Sequence, residues 1–230
     1  MSACKPTKTI DEVFEEFLAD QEARLSDNTF RQYKNIVGLL GACLERYWPD
    51  CDRQEYDRIT GAGGTYCGTF GPDRIISGTW EFLGYFMPRK VIAGKTTMKA
   101  AGTVTRKLMK WLAEKGYVED VESLEMAEER AGQAARDLPV AEELSGLLAD
   151  YADAHAPDRY SREMEDHFTV CRIEPGKLWL EPFSSEPREI GPISVPPEIS
   201  QQCRVGWDIS GIVAKTAKGW RFLEVWNVTP

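Results

Sequence analysis

The stretch RKVIAGKTTMKAAGTVTRKLMKWLAEK, Arg89 to Lys115, decides how the rest of the chain reads. Met98, Ala101, Val104, Leu108, Trp111 and Leu112 recur at helical spacing on one side, while Lys99, Thr103, Arg106 and Lys110 recur in steps of three and four on the other. The pattern predicts a helix with one apolar and one basic face. Eight cations (Arg89, Lys90, Lys95, Lys99, Arg106, Lys107, Lys110 and Lys115) stand against Glu114 alone. This is a local charge of +7 in a chain of net charge −9, so the remainder carries −16. Such a face is either simply solvated, as most charge-rich helix faces are, or a surface for phosphates, which the near absence of carboxylates favours.

The chain has 230 residues, enough for one large or two modest domains, and two are expected. Hydrophobic content of 42% and aromatic content of 10% are ordinary for a globular protein, and no apolar run approaches the length of a membrane span. The N-terminal MSACKPTKTIDEVFEEF has no signal-peptide core, so a cytoplasmic protein without disulfides is expected. Six cysteines (Cys4, Cys43, Cys51, Cys67, Cys171 and Cys203) form no C-x-x-C pair, and His155 and His167 lie far from the first four, so no structural metal is expected. The pI of about 4.9 argues against a uniformly basic nucleic-acid coat but leaves room for local polarity.

After a polar tail, Thr9 and Glu12 form a capping-box pattern. It opens a helix whose stripe is Ile10, Val13, Phe14, Phe17 and Leu18. The N-cap-rich run Ser26 to Thr29 starts a second helix carrying Tyr33, Ile36, Val37, Leu40, Leu44 and Tyr47, in which Gly38 and Gly41 would allow another helix to approach closely. Residues 49–72 hold two prolines and five glycines and read as loop or irregular structure. A third helix, starting near Ser77 or Thr79 and presenting Trp80, Leu83, Phe86 and Met87, is ended or kinked by Pro88. The basic helix then runs to Gly116, completing a four-helix bundle over residues 1–118.

Between Glu119 and Asp166, fifteen carboxylates face four arginines, and residues 119–165 read as an acidic helical connector. Pro139 at a helix start, followed by Leu144, Leu147, Leu148 and Tyr151, suggests two short helices. Its acidity reads first as a solvated surface, and second as a polyanion mimic that covers the basic helix. Residues 166–230 turn to short strands. HFTVCRI and KLWLEP flank a turn at Glu174, Pro175 and Gly176, and VGWDISGIVAK and WRFLEVWNV flank another around Lys218 and Gly219. With Ile190 to Val195 and one helical turn after Pro196 and Pro197, they predict a small five-stranded β-barrel, SH3-like or OB-like, within an α+β protein. Trp220, Phe222 and Trp226 share strand parity and read as core ahead of a base-stacking platform.

Motifs for catalysis fail. Gly94, Lys95 and Thr96 lack the glycine five residues earlier and the preceding strand of a phosphate loop, and the glycines from Gly61 to Gly68 lack the context of a nucleotide fingerprint. Neither histidine joins a nucleophile or a metal pair. No enzyme activity and no cofactor are expected.

The run EEFLADQEARLSDNTFRQYKNIVGLL, with Leu25, Ser26, Asn28, Thr29 and Tyr33 at their spacing, resembles the N-terminal SAM-like core-binding domain of tyrosine recombinases, the phage integrases. The segments WEFLGYFMPRK and TRKLMKWLAEKGYV resemble its final helices, and the resemblance covers residues 9 to 118. It implies a domain that clamps DNA through Arg89, Lys90, Lys95, Lys99, Arg106, Lys107 and Lys110, the residues that the charge count reaches separately. The family's catalytic domain is missing: His155 is followed three residues on by Asp158 and His167 by Val170, and Tyr160 has no arginine partners in a recombinase pattern. The expectation is a non-catalytic DNA-binding protein with an accessory or regulatory role and a possible protein partner at the barrel. The alternative is a protein-interaction module whose bundle no longer binds DNA.

Overall fold

A computed structural model describes residues 8–47, 50–184 and 189–230. The protein is α+β, and the chain divides into two compact units, residues 1–136 and 137–230. Cys4 lies outside the described residues. Among those described, no helix is long and apolar enough to cross a membrane.

In the first unit, α1 (Ile10–Glu22) begins with the reciprocal cap. The Glu12 amide donates to Thr9 Oγ1 at 3.3 Å and the Thr9 amide to Glu12 Oε2 at 2.7 Å. Its buried Phe17 packs beside Tyr33 of α2 (Asp27–Arg46), with ring centroids 6.0 Å apart, and edge-on to Trp111 at 5.5 Å. Gly38 faces open space and Gly41 meets Phe14 at ordinary van der Waals distance, so neither serves the close helix approach expected of them.

The segment expected to be irregular contains α3 (Arg53–Gly61), capped by Asp52, whose carboxylate accepts the Glu55 amide at 2.8 Å. Only Ile59 of α3 is buried, so the helix leaves no apolar periodicity in the sequence. The chain beyond it is pinned from α2: Glu45 accepts the amides of Tyr66 at 3.0 Å and Cys67 at 2.6 Å, and the Tyr66 side chain is fully buried.

The third expected helix is one helical path of three pieces, α4 (Asp73–Glu81), a π-helical turn (Phe82–Phe86) and α5 (Met87–Lys90). The Met87 amide donates to the Phe82 carbonyl, five residues back. This slip in register immediately precedes Pro88, which has no amide to give, so the path continues past the proline instead of stopping there. Phe82, Leu83, Phe86 and Met87 are buried along it, while Trp80 is 47% exposed. After α6 (Lys95–Lys115), α7 (Val121–His155) is a single helix of 35 residues with Pro139 inside it, which corrects the expectation of two short helices. Asp120 caps its start through the Ser123 amide at 3.0 Å. Residues to Arg136 belong to the first unit and the rest of α7 to the second.

The second unit holds β1 (Arg162–Glu174), β2 (Lys177–Pro182), β3 (Ile190–Ser194), α8 (Pro197–Gln202), β4 (Asp208–Thr216) and β5 (Gly219–Thr229). The strand order is β1-β2-β3-β5-β4, with β4 returning to pair with β1. The β3–β5 pairing is parallel, through Ile193 and Trp220, and the others are antiparallel, so the sheet is mixed. Ala141, Leu144, Leu148 and Ala152 of α7 join Phe168, Leu178, Leu180, Ile193 and Val213 in one apolar core.

Trp220 and Phe222 are buried in that core, but Trp226 is 47% exposed despite sharing their parity. Two bulges in β5 explain this. Register shifts between Ile212 and Val213 and between Ser210 and Gly211 each insert one β5 residue, which flips the inward face twice and leaves Trp226 as an extra residue outside.

Candidate nucleic-acid interface

The helix α6 is built to be buried on one side. Met98, Ala101, Val104, Leu108, Trp111 and Leu112 are all buried, and Gly116, in the left-handed region at φ 68°, closes the C-terminus by donating to Ala113 and Leu112. Helix α6 comes close to the α7 backbone at Gly102. A Cβ there would stand 2.2 Å from the Ala135 nitrogen and 2.7 Å from the Ala131 carbonyl oxygen of α7, so only glycine fits. The small residues Ala127, Ala131 and Ala134 are buried along the same part of α7.

Lys95, Lys99, Thr103, Arg106, Lys107 and Lys110 are all exposed; steps of three and four link Lys95, Lys99, Thr103, Arg106 and Lys110 along one stripe of α6, and Lys107, four residues beyond Thr103, lies at its edge. The helix itself contributes only Glu114 as a carboxylate to this face. Arg89 and Lys90 lie on α5, where both cations sit over the Tyr85 ring, at 5.5 Å and 5.3 Å from its centroid. Lys115 belongs to a different cluster, bonded to Glu16 at 3.2 Å and Asp20 at 3.0 Å. Hydrogen bonds from Lys8, Tyr117 and Lys115 pull the Glu16 carboxyl down to about 2. The Trp111 indole, donating to Asp20 at 2.9 Å, ties the same cluster to the apolar face of α6.

The α6 stripe is partly covered. Glu128 of α7 takes the Arg106 guanidinium at 3.1 Å and the Lys110 ammonium at 3.2 Å through the same Oε1. Nothing in the spacing of the acidic run singles out Glu128 from its neighbours. The partnership comes from the Gly102 contact, which sets α6 beside α7 so that Arg106 also lies against Gly132. The sequence signal for that contact was the run Ala100-Ala101-Gly102 together with the alanines of α7, a small-residue match between two helices. Ion pairs this exposed contribute about 0–1 kcal/mol each. Among the described residues, Lys99 and Lys107 form no ion pair.

Tyr160 is 45% exposed, and its hydroxyl bonds Glu163, which pushes its pKa up. Among the described residues, no three His, Cys, Asp or Glu side chains are grouped to hold a metal ion. Comparison with known proteins finds no matching family model, no matching curated protein and no matching solved structure.

Proposed function

We propose that this is a non-catalytic DNA-binding protein whose first unit is a SAM-like, integrase-type core-binding bundle and whose second unit is an OB-like barrel. The observation that carries the reading is the α6 stripe, with Lys95, Lys99, Arg106, Lys107 and Lys110 all exposed along one face of one helix. Arg89 and Lys90 extend the set of cations on α5. Such residues would hold phosphates and position the duplex without reading bases, so binding would be salt-sensitive and weakly sequence-dependent. For the barrel, the order β1-β2-β3-β5-β4, the parallel β3–β5 pairing and the helix between β3 and β4 favour the OB-like over the SH3-like alternative.

A second reading, a protein-interaction module, is favoured by two observations. Glu128 already neutralises Arg106 and Lys110, and Trp80 and Met126, 47% and 53% exposed, border a hollow rimmed by Asp73 and Asp120. Anisotropy titration of a labelled duplex at low salt separates the two. The DNA reading expects binding by the wild type and its loss in Lys99→Glu/Lys107→Glu, with far-UV circular dichroism unchanged. Absence of binding by the wild type would transfer the proposal to the interaction module. Incubation with nicked and intact duplexes should give no covalent adduct.

A further inference from the structure

We infer that a cleft in the second unit, lined by His155, Asp158, Arg159, Thr216, Lys218 and Arg221, binds a phosphate monoester of mononucleotide size. Its volume of about 420 Å³ is in the range of small-molecule sites. The charge of the cleft runs against that of its surroundings. Residues 137–230 hold sixteen carboxylates and nine Lys or Arg, yet three of those nine meet here with Asp158 as the one lining carboxylate. Among the described residues, Arg159, Lys218 and Arg221 form no ion pair with any carboxylate.

Arg221 and the turn that carries Lys218 are held by local hydrogen bonds. Arg221 spends one N–H on the Trp220 carbonyl at 2.7 Å, which leaves the rest of its fork for a ligand. The β4–β5 turn that carries Lys218 is closed on itself. The Thr216 hydroxyl donates to the Gly219 carbonyl at 2.8 Å and accepts the Lys218 amide at 3.1 Å. The His155 ring stacks on Tyr151 at 4.3 Å, with Nδ1 2.9 Å from the Tyr151 carbonyl oxygen. Because His155 ends α7, the carbonyl end of that helix also lies at the cleft and opposes an anion by about half a charge. Three cations against one carboxylate and that half charge still leave the cleft positive. A phosphate monoester matches this better than a carboxylate, since its dianion can engage Arg159, Lys218 and Arg221 together.

The phosphate could belong to a free nucleotide or to the 5′ end of a nucleic-acid strand, and calorimetric titration of the full chain distinguishes them. The probes are AMP against adenosine, and a short single strand with a 5′-phosphate against the same strand with a 5′-hydroxyl. In each pair that binds, the phosphorylated probe should bind at least tenfold tighter. Lys218→Ala/Arg221→Gln should abolish that advantage, whereas Lys99→Ala/Lys107→Ala should leave it intact, which keeps this site separate from the α6 face. Preference in the AMP pair assigns a free nucleotide, and preference in the strand pair alone assigns a strand end. If neither pair shows a preference, or if Lys218→Ala/Arg221→Gln retains it with an unchanged melting temperature, the site is refuted.

Discussion

Arg106 and Glu128 are joined twice over, with both Nε and Nη2 of the arginine 3.1 Å from the same carboxylate oxygen, Oε1. Lys110 reaches that oxygen as well, at 3.2 Å, so one carboxylate of the acidic run neutralises part of the basic stripe. Any phosphate that uses Arg106 or Lys110 must displace Glu128. Changing Glu128→Gln should therefore tighten duplex binding roughly two- to fivefold at low salt, the equivalent of an exposed ion pair of up to about 1 kcal/mol. The anisotropy titration that checks this should also show a steeper salt dependence. Weaker binding by the variant would mean that Glu128 positions the two cations for DNA instead of competing with it.

Two glycines should respond with opposite signs to the same substitution. Gly102→Ala gains helix propensity of about 1 kcal/mol but drives a methyl into the Ala131 and Ala135 backbone, and overpacking of that kind costs about 1–3 kcal/mol or more. A net loss of stability is expected. Gly38→Ala meets nothing within 4 Å on the exposed side of α2 and should gain about 0.5–1 kcal/mol. Urea denaturation followed by circular dichroism compares them.

The segment after α3 depends on one carboxylate. Glu45→Ala strands the amides of Tyr66 and Cys67 beside a buried ring and should cost about 2–4 kcal/mol. It should also make residues 61–71 newly sensitive to protease. An unchanged digestion pattern would show that burial of Tyr66 alone holds this segment.

Most of the strand region was legible because Phe168 and Val170 alternate with less buried neighbours in β1, the turn at Pro175 and Gly176 separates β1 from the apolar run Leu178 to Leu180 of β2, and Ile190 to Val195 stands between obvious breakers. The stripes of α1, α2 and α6 were legible for the same reason, since each buries a full face. The misses share a cause in tertiary structure. The α3 helix buries only Ile59, so periodicity had nothing to detect. Pro139 looks like a helix start, but the helix runs through it. Trp226 was placed by counting, and two bulges defeat counting. For the candidate interface, the cations were visible one by one, but the Glu128 clasp lies 22 residues away from Arg106 and depends on the close approach at Gly102.

Stability should fall in acid through a known group. In the folded protein, hydrogen bonds from Lys8, Tyr117 and Lys115 hold Glu16 at about 2, below its ordinary 4.5. A depressed carboxyl contributes stability that is complete above the higher value and is lost as pH falls through the lower one. Glu16→Gln should therefore lower the melting temperature at neutral pH, and the gap from the wild type should close between about pH 4.5 and pH 2. A gap that persists at pH 2 would trace the loss to packing instead of charge.

If the α6 stripe holds DNA phosphates as proposed, the salt dependence of duplex binding reports it. Lys99 and Lys107 are the cations to change, because neither pairs with a carboxylate among the described residues and both face solvent. Each phosphate neutralised contributes roughly 0.9 to the slope of log affinity against log salt, so Lys99→Ala/Lys107→Ala should flatten the wild-type slope by roughly two units while the melting temperature holds. A slope identical to that of the wild type, or no duplex binding by the wild type at low salt, would contradict the account.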